Sequence, residues 1–160
     1  MTMIRKQMQV VALVCGLAAG LPQAVAAPPA GPAHAHPTEG PHLGALIELG
    51  KEDYHAELVH DEKTDTITVY ILDATARKPV PITAKELMLN LKAGNKPYQF
   101  PLKACPQAGE PAGVASAFGA TDKNLCKALD SHGVSGRLNV EIGGKVYVGK
   151  VAGHTHNHKH

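Results

Sequence analysis

The chain has 160 residues, 16 of them lysine or arginine and 14 aspartate or glutamate, with two phenylalanines and no tryptophan. That is enough for one domain with a modest core. The near balance of charge argues against nucleic acid or an anionic membrane surface as partner. The ten histidines are the marked departure in composition.

Residues 1–26 read as a secretory signal. Arg5 and Lys6 precede an apolar run from Val10 to Leu21, Pro22 breaks it, and Ala24-Val25-Ala26 supplies a small-x-small cleavage site. The run is too short to cross a bilayer as a helix, so no membrane insertion is expected after cleavage. Cys15 follows Val14 rather than the small residue a lipoprotein signal wants, which argues against a lipid anchor. Cleavage would place the mature start at Ala27 in the periplasm or outside the cell. It would remove Arg5 and Lys6 alone among charged residues, so the 16 basic residues fall to 14 and match the 14 acidic ones.

Residues 27–42 are rich in proline, alanine, glycine and histidine and cannot bury a core, which predicts a disordered arm. It carries His34, His36 and His42. From residue 43 to 152 short runs alternate apolar and polar residues between turn residues, predicting strands at about 44–49, 53–60, 66–72, 86–92, 97–103, 114–118, 136–142 and 145–151. The period is clearest in Ile67, Val69 and Ile71, in Leu87, Leu89 and Leu91, and in Leu138, Val140 and Ile142. So many short strands predict an all-β fold, an antiparallel β-sandwich of the immunoglobulin-like or copper-handling periplasmic kind. Thr121 or Asp122 could cap one short helix that buries Leu125, Ala128 and Leu129 and ends at Gly133.

Single residues refine this outline. Asp61-Glu62-Lys63-Thr64-Asp65 lacks the alternating oxygen ligands and central glycine of a calcium loop and reads as a hairpin turn. Pro101 removes a ladder donor, which predicts a sheet edge for its strand. Cys105 and Cys126, the cysteines left after cleavage, predict a disulfide in an oxidising compartment. His55 and His60 differ by an odd number, so a regular strand points them to opposite faces, and His132 follows the helix; all three read as exposed polar residues rather than ligands. At Ile142-Gly143-Gly144-Lys145 a three-residue loop would set Val140 against Val146 and Leu138 against Val148, so the expectation is Val146 and Val148 inward and Tyr147 outward.

The chain ends His154-Thr155-His156-Asn157-His158-Lys159-His160. Alternate residues of an extended strand project to one side, so one peptide could offer several imidazoles to one ion of zinc, copper(II) or nickel. Expression tags are usually uninterrupted histidine runs, and a second such segment at His34, His36 and His42 favours metal binding over tag or solvating tail. Methionine is reduced to Met88 after cleavage, so the thioether sets that suit copper(I) are lacking. No strained serine turn, phosphate loop or His-Glu-x-x-His helix is found, and an enzyme is not expected.

The stretch His42-Leu43-Gly44-Ala45-Leu46-Ile47-Glu48-Leu49-Gly50, followed by Tyr54-His55-Ala56-Glu57-Leu58-Val59, resembles a segment of exported proteins and adaptor subunits associated with bacterial heavy-metal efflux. There a His-Gly-Gly start precedes a strand, a glycine turn and a second strand ending in Glu-Leu-Val; here Leu43 stands at the first glycine. The rest resembles small copper-handling periplasmic β-sandwiches in size and strand pattern. Some of those bind copper(II) through a histidine at the mature amino terminus, for which Ala27-Pro28-Pro29 would be unsuited. The resemblance implies an exported accessory of metal homeostasis, with metal ions and an efflux or envelope protein as partners. The chain is thus expected to be a buffer, scavenger or carrier of divalent transition metal, with His154, His156, His158 and His160 as the principal site and His34, His36 and His42 as a second. The alternative is a protein-interaction module of an envelope or efflux complex with incidental histidine-rich arms.

Overall fold

The computed structural model describes residues 37–152. Eight strands and one helix follow in the order β1 (Ala45–Leu49), β2 (Tyr54–Asp61), β3 (Thr66–Leu72), β4 (Glu86–Ala93), β5 (Lys96–Ala104), β6 (Ala117–Thr121), α1 (Lys123–Leu129), β7 (Ser135–Ile142) and β8 (Lys145–Ala152). Every ladder is antiparallel, and the strands form one sheet in the order β1-β2-β3-β6-β5-β4-β7-β8. The all-β fold with one short helix is as the alternation predicted.

The sheet curls until its two ends meet. A β-carbon added to Gly149 on β8 would stand 2.5 Å from Ile47 Cγ2 and 2.9 Å from Leu49 Cδ2 on β1, so only a residue without a side chain lets the two strands lie this close. The ring is thinnest between β5 and β6, where pairing is confined to Lys103 with Gly119 and Ala104 with Phe118. α1 touches both β3 and β4. Its buried face of Leu125, Cys126, Ala128 and Leu129 joins the core there. Asp122 starts the helix, its carboxylate accepting from Asn124 N at 2.7 Å and Leu125 N at 3.3 Å. It serves both as cap and as a negative charge at the positive end of the peptide dipoles.

The three alternating triplets all point inward. Ile67, Val69 and Ile71, Leu87, Leu89 and Leu91, and Leu138, Val140 and Ile142 are buried, with Phe118 and Leu58 among them. Full burial of each such side chain contributes about 1.5–3 kcal/mol, which lets a core poor in aromatics hold.

Three expectations are corrected. β6 begins at Ala117 rather than near 114, because Ile82 and Ala115 already pair in an isolated bridge that holds the preceding loop. β5 lies inside the strand order, not at its edge. Its amides nevertheless divide by parity: Ala104 N donates to Lys85 O toward β4, and Cys105 N to Ala117 O toward β6. The nitrogens of Pro97, Gln99 and Pro101 therefore face away from β4, along the length where β6 makes no pair, so Pro101 sits on a local edge.

The third correction is the β7–β8 hairpin. Gly143 and Gly144 form a two-residue turn with φ of 59° and 79°, the left-handed pair that matches the twist of the flanking strands and that glycine adopts freely. Ile142 thus pairs with Lys145, Glu141 with Val146, Val140 with Tyr147 and Asn139 with Val148. Tyr147 is inward at 8% exposure, and Val146 and Val148 are outward at 62% and 50%. Tyr147 meets Tyr54 edge to face at 5.3 Å. Turn geometry and one aromatic ring outweigh two valines, whose branched side chains suit a strand even when exposed.

Candidate metal-binding site

β2 breaks the alternation of the other strands. His55, Ala56, Glu57 and Leu58 are all buried. Ala56 and Leu58 face the core, so Glu57 must be covered from the opposite side. The cover is the segment before β1. Glu39 bridges to Ala45, Leu46 N donates to Thr38 O, and Gly40 N to Gly44 O, which folds residues 38–44 back over β2. Residues 38–42, expected to belong to the disordered arm, are thus hydrogen-bonded to the sheet or to its first turn.

Inside this loop Glu57 has no exposed surface and each of its oxygens is engaged. Oε1 accepts from His42 N at 2.6 Å and Gly44 N at 2.9 Å, and Oε2 lies 2.7 Å from His42 Nδ1. Three charge-assisted bonds of this kind are what a carboxylate needs to be buried without a metal or an arginine beside it. A β-carbon at Gly40 would overlap the carboxylate, so glycine there allows the backbone to close over it. Leu43 holds φ at +61°, a conformation glycine would take more easily, with its side chain in solvent.

Tyr70 completes the arrangement. It stands directly across the ladder from Glu57, on the same face, and its ring stacks on the His42 imidazole at 3.8 Å and 10°. The imidazole is therefore fixed in plane by Tyr70 and in rotation by Glu57. When the carboxylate is ionised and the ring neutral, Nδ1 donates to Oε2 and Nε2 keeps its lone pair. Nε2 has no hydrogen bond among the described residues, and the side chain is 44% exposed. A carboxylate holding one imidazole nitrogen while the other is free is the arrangement usual for a metal-ligating histidine.

The other histidines divide plainly. His34, His36, His154, His156, His158 and His160 lie outside the described residues. His55, expected to be exposed, is buried, with Nδ1 3.2 Å from Asp73 O, whereas His132 is exposed as expected. His60 Nδ1 is 3.6 Å from Asp130 Oδ1. Among the described residues no group of three or more histidine, cysteine, aspartate or glutamate side chains converges. The expected disulfide is not formed: both thiols are free, Cys105 exposed beside β6 and Cys126 buried in the core. Cys105 shares the outward parity of Lys103 on β5 whereas Cys126 is on the inward face of α1, so the sheet separates them. Burial, then Asp65, Asp130 and Asp122, push the Cys126 thiol up.

Sequence reading missed Glu57 and Tyr70 as site residues. The available signal was a glutamate within the apolar run of β2, where a half-exposed strand would place it in water. The chain matches no family model, no curated protein and no solved structure.

Proposed function

We propose that this is an exported protein that binds divalent transition metal, zinc, copper(II) or nickel, and acts as a buffer, scavenger or carrier rather than an enzyme. The observation that supports it best is His42, its Nδ1 held by a buried glutamate, its ring stacked on Tyr70 and its Nε2 available. One imidazole gives weak binding, so the reading requires further ligands. The sequence supplies His34 and His36 upstream on the same segment and His154, His156, His158 and His160 at the other end. His42 is then the ligand organised by the fold, and the flanking histidines complete the coordination shell.

Calorimetric titration of the chain lacking residues 1–26 with zinc and with copper(II) tests this. His42→Ala and deletion of 153–160 should each weaken binding, and their combination should weaken it most. Binding should also fall as pH drops through the ordinary histidine range, since protons compete for the same nitrogens. Heats indistinguishable among the three variants and the parent would remove the proposal and favour a protein-interaction module.

A further inference from the structure

The outer face of β5, β4, β7 and β8 is laid out in three rows that run across the strands. In the middle row Pro101 pairs with Met88, Met88 with Asn139, and Asn139 with Val148. None of the four carries a charge, and Val148 is 50% exposed. Two residues along each strand in one direction, Lys150 pairs with Arg137, Arg137 with Asn90, and Asn90 with Gln99. Two residues in the other direction, Val146, 62% exposed, pairs with Glu141, and Glu86 pairs with Lys103. Residues two apart share a face, and the alternate positions Leu87, Leu89, Leu138, Val140 and Tyr147 are in the core, so all three rows point outward.

On β4, β7 and β8 the face thus has cations on one side of an uncharged row and acids on the other. Arg137 and Lys150 are like charges directly opposed, which is destabilising. Neither they nor Glu141 and Glu86 have an ion-pair partner among the described residues.

We propose that this face pairs with the same face of a second copy, about a two-fold axis lying along the middle row. Such an axis exchanges the two outer rows. Arg137 of each copy then meets Glu141 of the other, Asn90 meets Glu86, the Lys150 stem lies over Val146, and Lys103 meets the amide oxygen of Gln99. Residues on a two-fold axis face their own copies, where a charge would repel. Here they are Val148, Met88, Pro101 and Asn139, whose amide both donates and accepts. A foreign partner of one charge would satisfy one outer row and oppose the other, whereas a second copy satisfies both. Sheet twist keeps facing strands about 30° apart, so the match is closest near the middle, at Arg137 and Glu141.

Four strands about 4.8 Å apart and three rows about 6.8 Å apart make a patch of roughly 400 Å² per copy. A stable pair buries about 800 Å² per partner, so this one is weak and reversible, with a dissociation constant between about 10 μM and 1 mM.

The test is sedimentation equilibrium of the chain lacking residues 1–26 up to millimolar concentration, with a chelator present so that metal cannot bridge histidines of two copies. The parent should dimerise, and less so at high salt. Arg137→Glu and Glu141→Arg should each weaken the dimer about tenfold or more, and an equimolar mixture of the two should associate at least as well as the parent, because both ion pairs are rebuilt between unlike copies. That recovery distinguishes pairing from a fold damaged by either change. Four results would each overturn the proposal: a parent monomeric throughout, single variants that dimerise like the parent, a mixture that does not recover, or a dimer lost on deleting residues 153–160, which would make the tail its contact.

Discussion

Glu57→Gln is the substitution that best separates orientation of His42 from simple packing. The amide has the shape of the carboxylate, and its oxygen can still accept from His42 N and Gly44 N, now without charge. Its nitrogen then lies where Oε2 stood, 2.7 Å from His42 Nδ1. An amide nitrogen only donates, so Nδ1 must become the acceptor and the ring proton must move to Nε2. Each bond to a charged acceptor is worth about twice a neutral one, and three are affected. Part of that loss is offset because a charge no longer has to be buried, so the net loss of stability should be about 1–2 kcal/mol. Urea unfolding should show a lower midpoint with an unchanged slope. Faster hydrogen exchange at the His42 and Gly44 amides would localise the effect to the loop over β2. Nitrogen-15 chemical shifts of the imidazole should report the change of tautomer, and metal affinity should fall by about 10- to 100-fold, the usual effect of losing a carboxylate that orients a ligating imidazole. Unchanged imidazole shifts with unchanged exchange would refute the geometry. A changed tautomer with unchanged metal affinity would instead remove His42 from the ligands.

Gly149→Ala places a methyl group against Ile47, Leu49 and the Glu48 carbonyl, and should destabilise the fold by about 1–3 kcal/mol in urea unfolding; a neutral result would mean that β1 and β8 are not in contact. In the native protein without reductant, iodoacetamide should modify Cys105 quickly and Cys126 only after unfolding, since the exposed thiol is reachable and the buried one is held protonated; equal rates by mass spectrometry would contradict this. Asp73 should titrate near pH 2, because the Thr75 hydroxyl and the Arg77, Lys78 and Thr75 amides all bond its carboxylate. Its folded value is depressed, so its contribution to stability is present above the ordinary carboxylate range near 3.8 and is lost as pH falls toward 2; a carbon-13 titration midpoint near 4 would disprove the loop geometry.

The strands were legible because one face of each is buried and the other is not, so the inward sets at 67–71, 87–91 and 138–142 repeat with period two. The helix start at Asp122 was legible because capping is local chemistry. The register of β8 was not: two arrangements of Lys145–Ala152 each bury plausible side chains, and the choice rests on a turn of two glycines and on where Tyr54 stands. Glu57 was illegible for a different reason. Its burial is made by residues 38–44, a segment whose composition resembles a linker and whose path is set by a single carboxylate. The histidine at position 42 could be read from the sequence, but the groups that aim it are brought to it by two strands.

The two prolines of β5 bear on how this protein behaves at high concentration. Between Lys96 and Leu102 the strand has a side on which β6 does not pair, and such a side is normally a template for another chain. Of the three backbone nitrogens that face it, those of Pro97 and Pro101 carry no hydrogen, leaving Gln99 as the single donor. A strand from a second molecule laid along this side would find two of its carbonyls unanswered, which resists polymer growth by strand addition. Replacing both prolines would restore a regular donor row and convert a safe gap in the sheet into a site of self-association.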